Sequence, residues 1–152
     1  MSTLSDVSSD EPWFVAQGEW HGQPVMIRAR DGLLANASAA NFPIRVVIEW
    51  ACSSPHSSGL PSEADYSQIS AFEEAVVNFL CEGAILAFVV THSGSVTYNF
   101  YTSDEDWFLE RLNEALSDKS VVPITLSAYN DADWSEYRSL LEGCGREDPS
   151  VA

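Results

Sequence analysis

Two kinds of hydrophobic period follow one another along the chain, and each predicts a different element. Residues 43–51 are rich in branched side chains, which is typical of a strand. After the Ser, Gly and Pro residues of 52–61, apolar residues recur at the spacing of a helix. Ser62 is a good N-cap for this helix, Asp65 follows three residues later, and Gly83 ends it. The predicted buried stripe of the helix consists of Ile69, Phe72, Val76, Phe79 and Leu80.

The same succession returns in the second half of the chain. Residues 84–91 predict an apolar strand, which turns at Ser93-Gly94 into another strand over 95–101. Ser103 is the predicted N-cap of a second helix, which begins with three acidic residues that complement the positive end of its dipole. The predicted buried stripe of this helix consists of Phe108, Leu109, Leu112, Ala115 and Leu116.

Two further segments complete the predicted fold. Residues 13–20 and 23–30 form β-rich runs joined by a short Gly-containing link, which predicts a hairpin. A strand over 121–129 and a short helix over 134–141 close the chain. Strand, helix, strand, turn, strand, helix, strand is the order of the split βαβ fold. We therefore expect an α+β protein, a ferredoxin-like split βαβ sandwich with an added N-terminal β-hairpin that extends the sheet or covers its edge.

A length of 152 residues suits one domain with a substantial core. Residues 1–11 are rich in Ser and Asp and predict a flexible tail. Residues 12–142 form the predicted single α+β domain, and residues 143–152 a second flexible tail. The longest apolar run is too short to span a bilayer, and the N-terminus does not resemble a signal peptide, so we expect a cytoplasmic protein.

The charge balance changes the picture most, because 23 acidic residues stand against 7 basic ones and give a net charge of -16. Such a surface repels phosphate backbones and anionic membranes, so direct nucleic-acid or membrane binding is not expected. A basic protein partner would be steered towards it. Acidity also confers solubility by itself, and charge alone does not identify a partner.

The residue types that commonly act in catalysis or bind metal ions do not form a recognisable motif in this sequence. Cys52, Cys81 and Cys144 are an odd number at wide spacings, and the three histidines are scattered, so neither a disulfide framework nor a metal site is predicted. The sequence has no nucleophile elbow and no Gly-rich phosphate loop. Asp131 and Asp133 are predicted to cap the last helix. We therefore expect neither an enzyme nor a bound cofactor.

Three aromatic residues are the candidate partner-binding positions. Tyr101 is predicted on the sheet face opposite the two long helices, which is the natural place for a functional surface. Trp134 and Tyr137 share a face of the last helix because they are three residues apart. Trp and Tyr dominate interface hot spots, although the alternative is that both anchor the last helix on the sheet.

The end of the chain, with Asp131, Trp134 and Tyr137, resembles the D-x-x-W-x-x-Y ending of the bacterial family known as domain of unknown function 695. The Trp13 strand and the aromatic residues before the second long helix agree with this resemblance, which covers residues 13–141. The family often has a proline after the final leucine, where this chain has Glu142. The resemblance implies a ferredoxin-like fold and no established activity. Similar domains occur in acidic inhibitory regulators of ribonuclease E, which act by protein–protein contact, and that likeness is one of fold only.

These observations favour a non-enzymatic protein-binding or regulatory domain, for which a basic protein is the partner that best matches the charge. Two alternatives stay open. One is a small-ligand-binding or enzymatic domain that uses the open sheet face, and the other is an immunity protein that neutralises a basic toxin. A homodimer through exposed sheet edges is also compatible with this fold.

Overall fold

A computed structural model describes residues 13–30, 41–80, 83–117 and 122–145. The predicted tail over 1–11 and most of the predicted tail over 143–152 lie outside these residues, as does Cys81. The six strands are β1 (Trp13–Trp20), β2 (Gln23–Arg30), β3 (Ile44–Ala51), β4 (Ala84–His92), β5 (Ser95–Thr102) and β6 (Ile124–Asn130). The three helices within the described residues are α1 (Glu63–Leu80), α2 (Glu105–Leu116) and α3 (Ser135–Gly143). None of these helices is long and apolar enough to cross a membrane.

All six strands join one antiparallel sheet in the order β1-β2-β4-β5-β3-β6. Without β1 and β2, the remaining order is that of a split βαβ sheet, so the predicted α+β ferredoxin-like class is confirmed. The N-terminal hairpin extends the sheet, because β2 pairs with β4 from Val25 to Ala29. Among the described strands, β1 and β6 are therefore the outermost.

Two tight turns set the register of the hairpins. His21 and Gly22 both have positive φ, 54° and 79°, and so do Ser93 and Gly94, at 52° and 82°. Positive φ at both central residues is the mark of a type I′ turn, whose twist matches that of the strands it joins. The β1–β2 pairing therefore runs without interruption from Trp20–Gln23 to Trp13–Arg30.

The sheet is buried on both faces, with a different helix layer on each. α1 and α2 pack on one face, where Phe72 and Phe108 belong to the same hydrophobic cluster as the inward residues of β3 and β5. α3 packs on the other face and contributes Trp134, Tyr137 and Leu141 to a second cluster. A bulge in β4 between Leu86 and Phe88 interrupts the alternation of that strand.

Helix caps and stripes differ from the sequence prediction at three places. Asp104, and not Ser103, is the N-cap of α2, since its carboxylate accepts the Trp107 backbone N–H at 3.0 Å. Phe79 and Leu109, both predicted to be buried, are 36% and 37% exposed. Each helical residue is rotated by about 100° from the one before it, so Leu109 lies at the margin of the stripe that contains Phe108 and is only partly covered. The stripe of α1 is completed by Val77, which is buried instead of Phe79.

Candidate functional site

The three predicted site residues meet in one buried group, the aromatic clamp of Tyr101, Trp134 and Tyr137. Each of them has 0% of its surface exposed. The Tyr101 and Trp134 rings stack with centroids 4.1 Å apart, and Tyr137 meets the Trp134 ring edge-on at 5.8 Å. The clamp therefore anchors α3 on the sheet. None of its rings reaches the surface, and partner binding through these residues stays a prediction.

Side-chain hydrogen bonds attach the clamp to two distant backbone segments. The Trp134 Nε1–H donates to the Phe42 carbonyl oxygen at 2.9 Å. The Tyr137 hydroxyl donates to the carbonyl oxygen of Arg30, at the end of β2. Trp134 itself has a left-handed backbone with φ of 55°, which is rare for a bulky side chain. Its backbone N–H donates to the Asp131 carbonyl oxygen, which closes a tight turn immediately before α3.

The Asp131 carboxylate is the centre of a hydrogen-bond network beside the clamp. One carboxylate oxygen accepts the backbone N–H and the hydroxyl of Ser135, both at 2.8 Å, and the other accepts the Tyr101 hydroxyl at 2.7 Å and the Glu136 N–H at 3.3 Å. Asp131 therefore caps α3 as predicted, whereas Asp133 is exposed. Burial alone would raise the pKa of the Asp131 carboxyl, but these hydrogen bonds outweigh burial and lower it.

The charge of Asp131 is balanced by Arg45 from β3. The Arg45 Nε lies 3.7 Å from the carboxylate, and its Nη1 donates to the Asn99 side-chain oxygen at 2.8 Å. Its guanidinium lies 4.6 Å from the centroid of the Tyr129 ring, a cation–π contact. Burial, together with the hydrogen bond to Asp131 and its negative charge, raises the pKa of Tyr101. At neutral pH the carboxylate thus stays ionised and the phenol protonated, which suits a structural network better than proton transfer.

Two further polar networks were not predicted from the sequence. Arg28 on β2 and Tyr98 on β5 both donate to one carboxylate oxygen of Glu73 on α1, at 2.9 and 2.6 Å. Asp65 is fully buried and accepts hydrogen bonds from Ser53, Ser54 and Ser62. The Ser62–Asp65 spacing was the only signal of this second network in the sequence, while the first joins residues 45 and 25 positions apart.

The outer side of α2 carries a line of exposed acidic side chains. Asp106, Glu110 and Glu114 lie four residues apart, so they form one line along the helix, which we call the acidic row. All three are exposed, and Leu109 beside them is 37% exposed. The last turn of α2 contains no basic residue. This row therefore joins concentrated negative charge to an accessible apolar side chain.

The three histidines lie on different elements of the fold. His21 lies in the β1–β2 turn, His56 in the loop after β3, and His92 at the end of β4. Within the four described segments, no three His, Cys, Asp or Glu residues are grouped closely enough to hold a metal ion. A shallow cleft beside the start of α2 is lined by Gly83, Ser103, Asp104 and Trp107.

The architecture and the closing aromatic segment can be compared with known protein families. Residues 11–141 match the family model described as a family of unknown function, DUF695. The chain belongs to DUF695. Both the clamp and the acidic row lie within the matched residues of this DUF695 protein. No curated protein matches the chain significantly. The match concerns DUF695 alone, so the likeness to ribonuclease E regulators stays a prediction.

Proposed function

We propose that this DUF695 protein is a non-enzymatic binding protein that takes a basic protein partner on the outer side of α2. The observation that carries the proposal is the acidic row of Asp106, Glu110 and Glu114, with Leu109 exposed beside it. The row offers long-range attraction, and Leu109 offers an apolar contact for a partner already docked. A basic nuclease held by an immunity protein would be one partner of this chemistry.

The acidic row is costly for the helix that carries it. Like charges four residues apart destabilise a helix by about 0.2–0.5 kcal/mol per pair, and the row contains two such pairs. Glu114 also lies in the last turn, where the helix dipole disfavours an acidic side chain. Helix stability explains Asp106, which lies in the favourable first turn, but it does not explain Glu110, and the Arg111–Glu114 ion pair offsets only part of the cost of Glu114. A binding role gives a reason for keeping the whole row.

The basic side chains of the described residues offset this charge only in part. Arg111 pairs with one member of the row, since its Nη1 lies 3.5 Å from the Glu114 carboxylate, and it also lies against Phe79, 4.7 Å from the ring centroid. Arg45 compensates Asp131. Of the five arginines in the described segments, four contact an acidic or aromatic side chain within the fold: Arg28, Arg30, Arg45 and Arg111. The surface field of the protein is thus strongly negative, which disfavours phosphate-bearing partners and favours basic ones.

The test compares two triple variants that change net charge equally. The first replaces the acidic row (Asp106→Asn, Glu110→Gln, Glu114→Gln), and the control replaces three exposed acidic residues outside it (Glu63→Gln, Glu74→Gln, Glu136→Gln). Both variants and the unaltered protein serve as bait in pull-downs at low and high salt, and captured proteins are identified by mass spectrometry. We expect a basic protein that the row variant fails to capture, that the control retains, and that high salt releases.

The free energy of unfolding of the two triple variants shows whether a loss of capture comes from a lost binding site or from a lost fold. The repulsion removed with the row, about 0.4–1 kcal/mol for its two pairs, offsets most of what is lost with the Arg111–Glu114 ion pair and the favourable Asp106 charge in the first turn, so we expect the row variant to remain folded. Equal capture by the two triple variants would refute a site on α2. A partner whose capture is insensitive to salt would refute the electrostatic mechanism.

A further inference from the structure

We propose that strand β6 is the interface of a homodimer, in which two copies pair their β6 strands antiparallel about a two-fold axis and join their sheets. Among the described strands, β6 is the outermost one on the side away from the N-terminal hairpin. The proposal is independent of the acidic row, because the row lies on α2 and β6 contains no charged residue. The occupant of this edge is a second copy of the chain.

Backbone hydrogen bonds at both ends of β6 show which of its groups point away from β3. The Ala51 N–H donates to the Pro123 carbonyl oxygen at 2.9 Å, and the Asp131 N–H donates to the Pro43 carbonyl oxygen at 2.8 Å. Hydrogen-bonded and non-hydrogen-bonded positions alternate in an antiparallel pair, so the odd-numbered residues of β6 bond to β3. The N–H and C=O groups of the even-numbered residues therefore point outward. Within the strand these residues are Ile124, Leu126, Ala128 and Asn130.

The outward backbone groups are open over most of β6. The Ile124 N–H is occupied, because it donates to the Val122 carbonyl oxygen at 2.9 Å. The even-numbered residues of 126–130 have no hydrogen-bond partner on this side among the described parts of the chain. Residues 127–130 are exposed, and Tyr129 has 49% of its surface accessible. A strand edge in this state is a template for pairing with another strand.

β6 also lacks the features that usually protect an edge strand. Natural edges are short, bulged, interrupted by proline or charged, most often with lysine. β6 has seven residues, pairs with β3 without a bulge, and contains neither proline nor a charged side chain. Two copies that each carry a net charge of -16 repel one another, so an interface between them is favoured where acidic side chains are absent. β6 provides such a stretch.

Antiparallel pairing of two β6 strands has a self-complementary register centred on Ser127. Outward-bonding residues must face one another, which places Leu126 opposite Ala128 of the second copy. A large side chain thus meets a small one on the sheet face where Leu126 packs against the larger core cluster. On the other face, Thr125 lies opposite Tyr129 of the second copy, and a β-branched residue paired with an aromatic one stabilises a sheet. All seven residues of the strand pair in this register.

The net charge of each copy opposes association over the rest of the surface. Salt screens that long-range repulsion and leaves the backbone hydrogen bonds in place. Dimerisation is therefore expected to strengthen as salt increases, whereas capture of a basic partner by the acidic row weakens. The two proposals thus respond to salt in opposite directions and can fail separately.

Sedimentation equilibrium of the full chain at low and high salt measures the dissociation constant of the dimer. Ala128→Pro removes one outward N–H without removing a bond to β3, and Ala128→Ser keeps that N–H at nearly the same side-chain size. We expect dimers for the unaltered chain and for Ala128→Ser. Ala128→Pro is expected to weaken the dimer at least about tenfold, because each copy loses a backbone hydrogen bond to Leu126 of the other.

A cysteine pair tests the register without relying on proline. Ser127 lies on the two-fold axis at a non-hydrogen-bonded position, where facing Cα atoms are about 4.5 Å apart and within reach of a disulfide. Ser127→Cys should therefore form a disulfide-linked dimer in oxidised glutathione, above the level of the unaltered chain with its own cysteines. Thr125→Cys is the matched control, because this register holds its two copies about 13 Å apart along the strands, too far for a disulfide.

Three results would overturn the proposal. They are a monomer at all concentrations in high salt, equal dissociation constants for Ala128→Pro and Ala128→Ser, and cross-linking of Thr125→Cys as efficient as that of Ser127→Cys. Circular dichroism shows whether Ala128→Pro remains folded, and the cysteine pair decides the question if it does not.

Discussion

Replacing Asp131 tests whether one carboxylate joins α3 to the sheet. Asp131→Ala removes the side-chain cap of α3, which costs about 1 kcal/mol in typical helices. It also leaves the Tyr101 hydroxyl, in a fully buried side chain, without the acceptor now 2.7 Å away, a loss of about 1–3 kcal/mol. Arg45 loses its counter-ion at 3.7 Å as well. Because these effects share one network and are not additive, we expect a total loss of about 3 kcal/mol.

The same variant has a defined pH dependence. The pKa of Asp131 in the folded protein lies below its ordinary value of 3.8, so the folded state favours the ionised carboxylate. The stability from this ionisation is complete above the unfolded pKa and is lost as the pH falls through the folded pKa. The difference in unfolding free energy between the unaltered protein and Asp131→Ala should therefore be constant near neutral pH and shrink below about pH 4. Taking the difference cancels the similar contribution of Asp65, whose pKa is also lowered.

Urea unfolding followed by circular dichroism measures this difference at several pH values. Asp133→Ala is the matched control, since Asp133 is exposed two residues away and its removal should change the unfolding free energy by less than about 0.5 kcal/mol. If Asp131→Ala costs no more than this control, the carboxylate does not hold α3 in place. A cost that persists unchanged into acid would refute the role of ionisation.

Two further substitutions probe the packing around the sheet. Trp134→Ala should cost about 3–5 kcal/mol of unfolding free energy, because it empties a site that is 0% exposed; urea unfolding measures this, and a cost below about 1 kcal/mol would contradict the clamp. Gly83→Ala should cost about 1–3 kcal/mol, because the added Cβ would lie 2.7 Å from the Trp107 ring. Adding Trp107→Leu should recover part of that loss, and a purely additive double variant would show that the ring is not the obstacle.

The local elements were predictable because their signals are local. The helix and strand periods located every element of the split βαβ pattern, and the Ser62–Asp65 spacing correctly marked the start of α1. The cap of α2 was placed one residue early, because Ser103 and Asp104 are both good N-cap residues and only the fold determines which carboxylate or hydroxyl reaches the Trp107 N–H. The helical period also could not show which residues at the margins of the buried stripes are exposed. Phe79 and Leu109 lie at these margins and are partly exposed.

The candidate site depended on contacts that no local pattern contains. The D-x-x-W-x-x-Y spacing correctly marked Asp131, Trp134 and Tyr137 as one group, and the packing alternative for the two aromatic residues is the arrangement that the structure shows. Tyr101 and Asp131, 30 residues apart, are joined by the tertiary fold alone. The same is true of Trp134 and Phe42, which are 92 residues apart.

By itself, the amino-acid sequence determined the class of fold, the positions of its helices and strands, and a net charge of -16. These properties follow from composition and from side-chain periods, which depend only on neighbouring residues. The tertiary structure alone decided that the aromatic clamp is buried, that Asp131 is paired with Arg45, and that β1 and β6 are the outermost of the described strands. Burial and pairing depend on which distant segments meet across the sheet, and strand order is set by the packing of the whole chain.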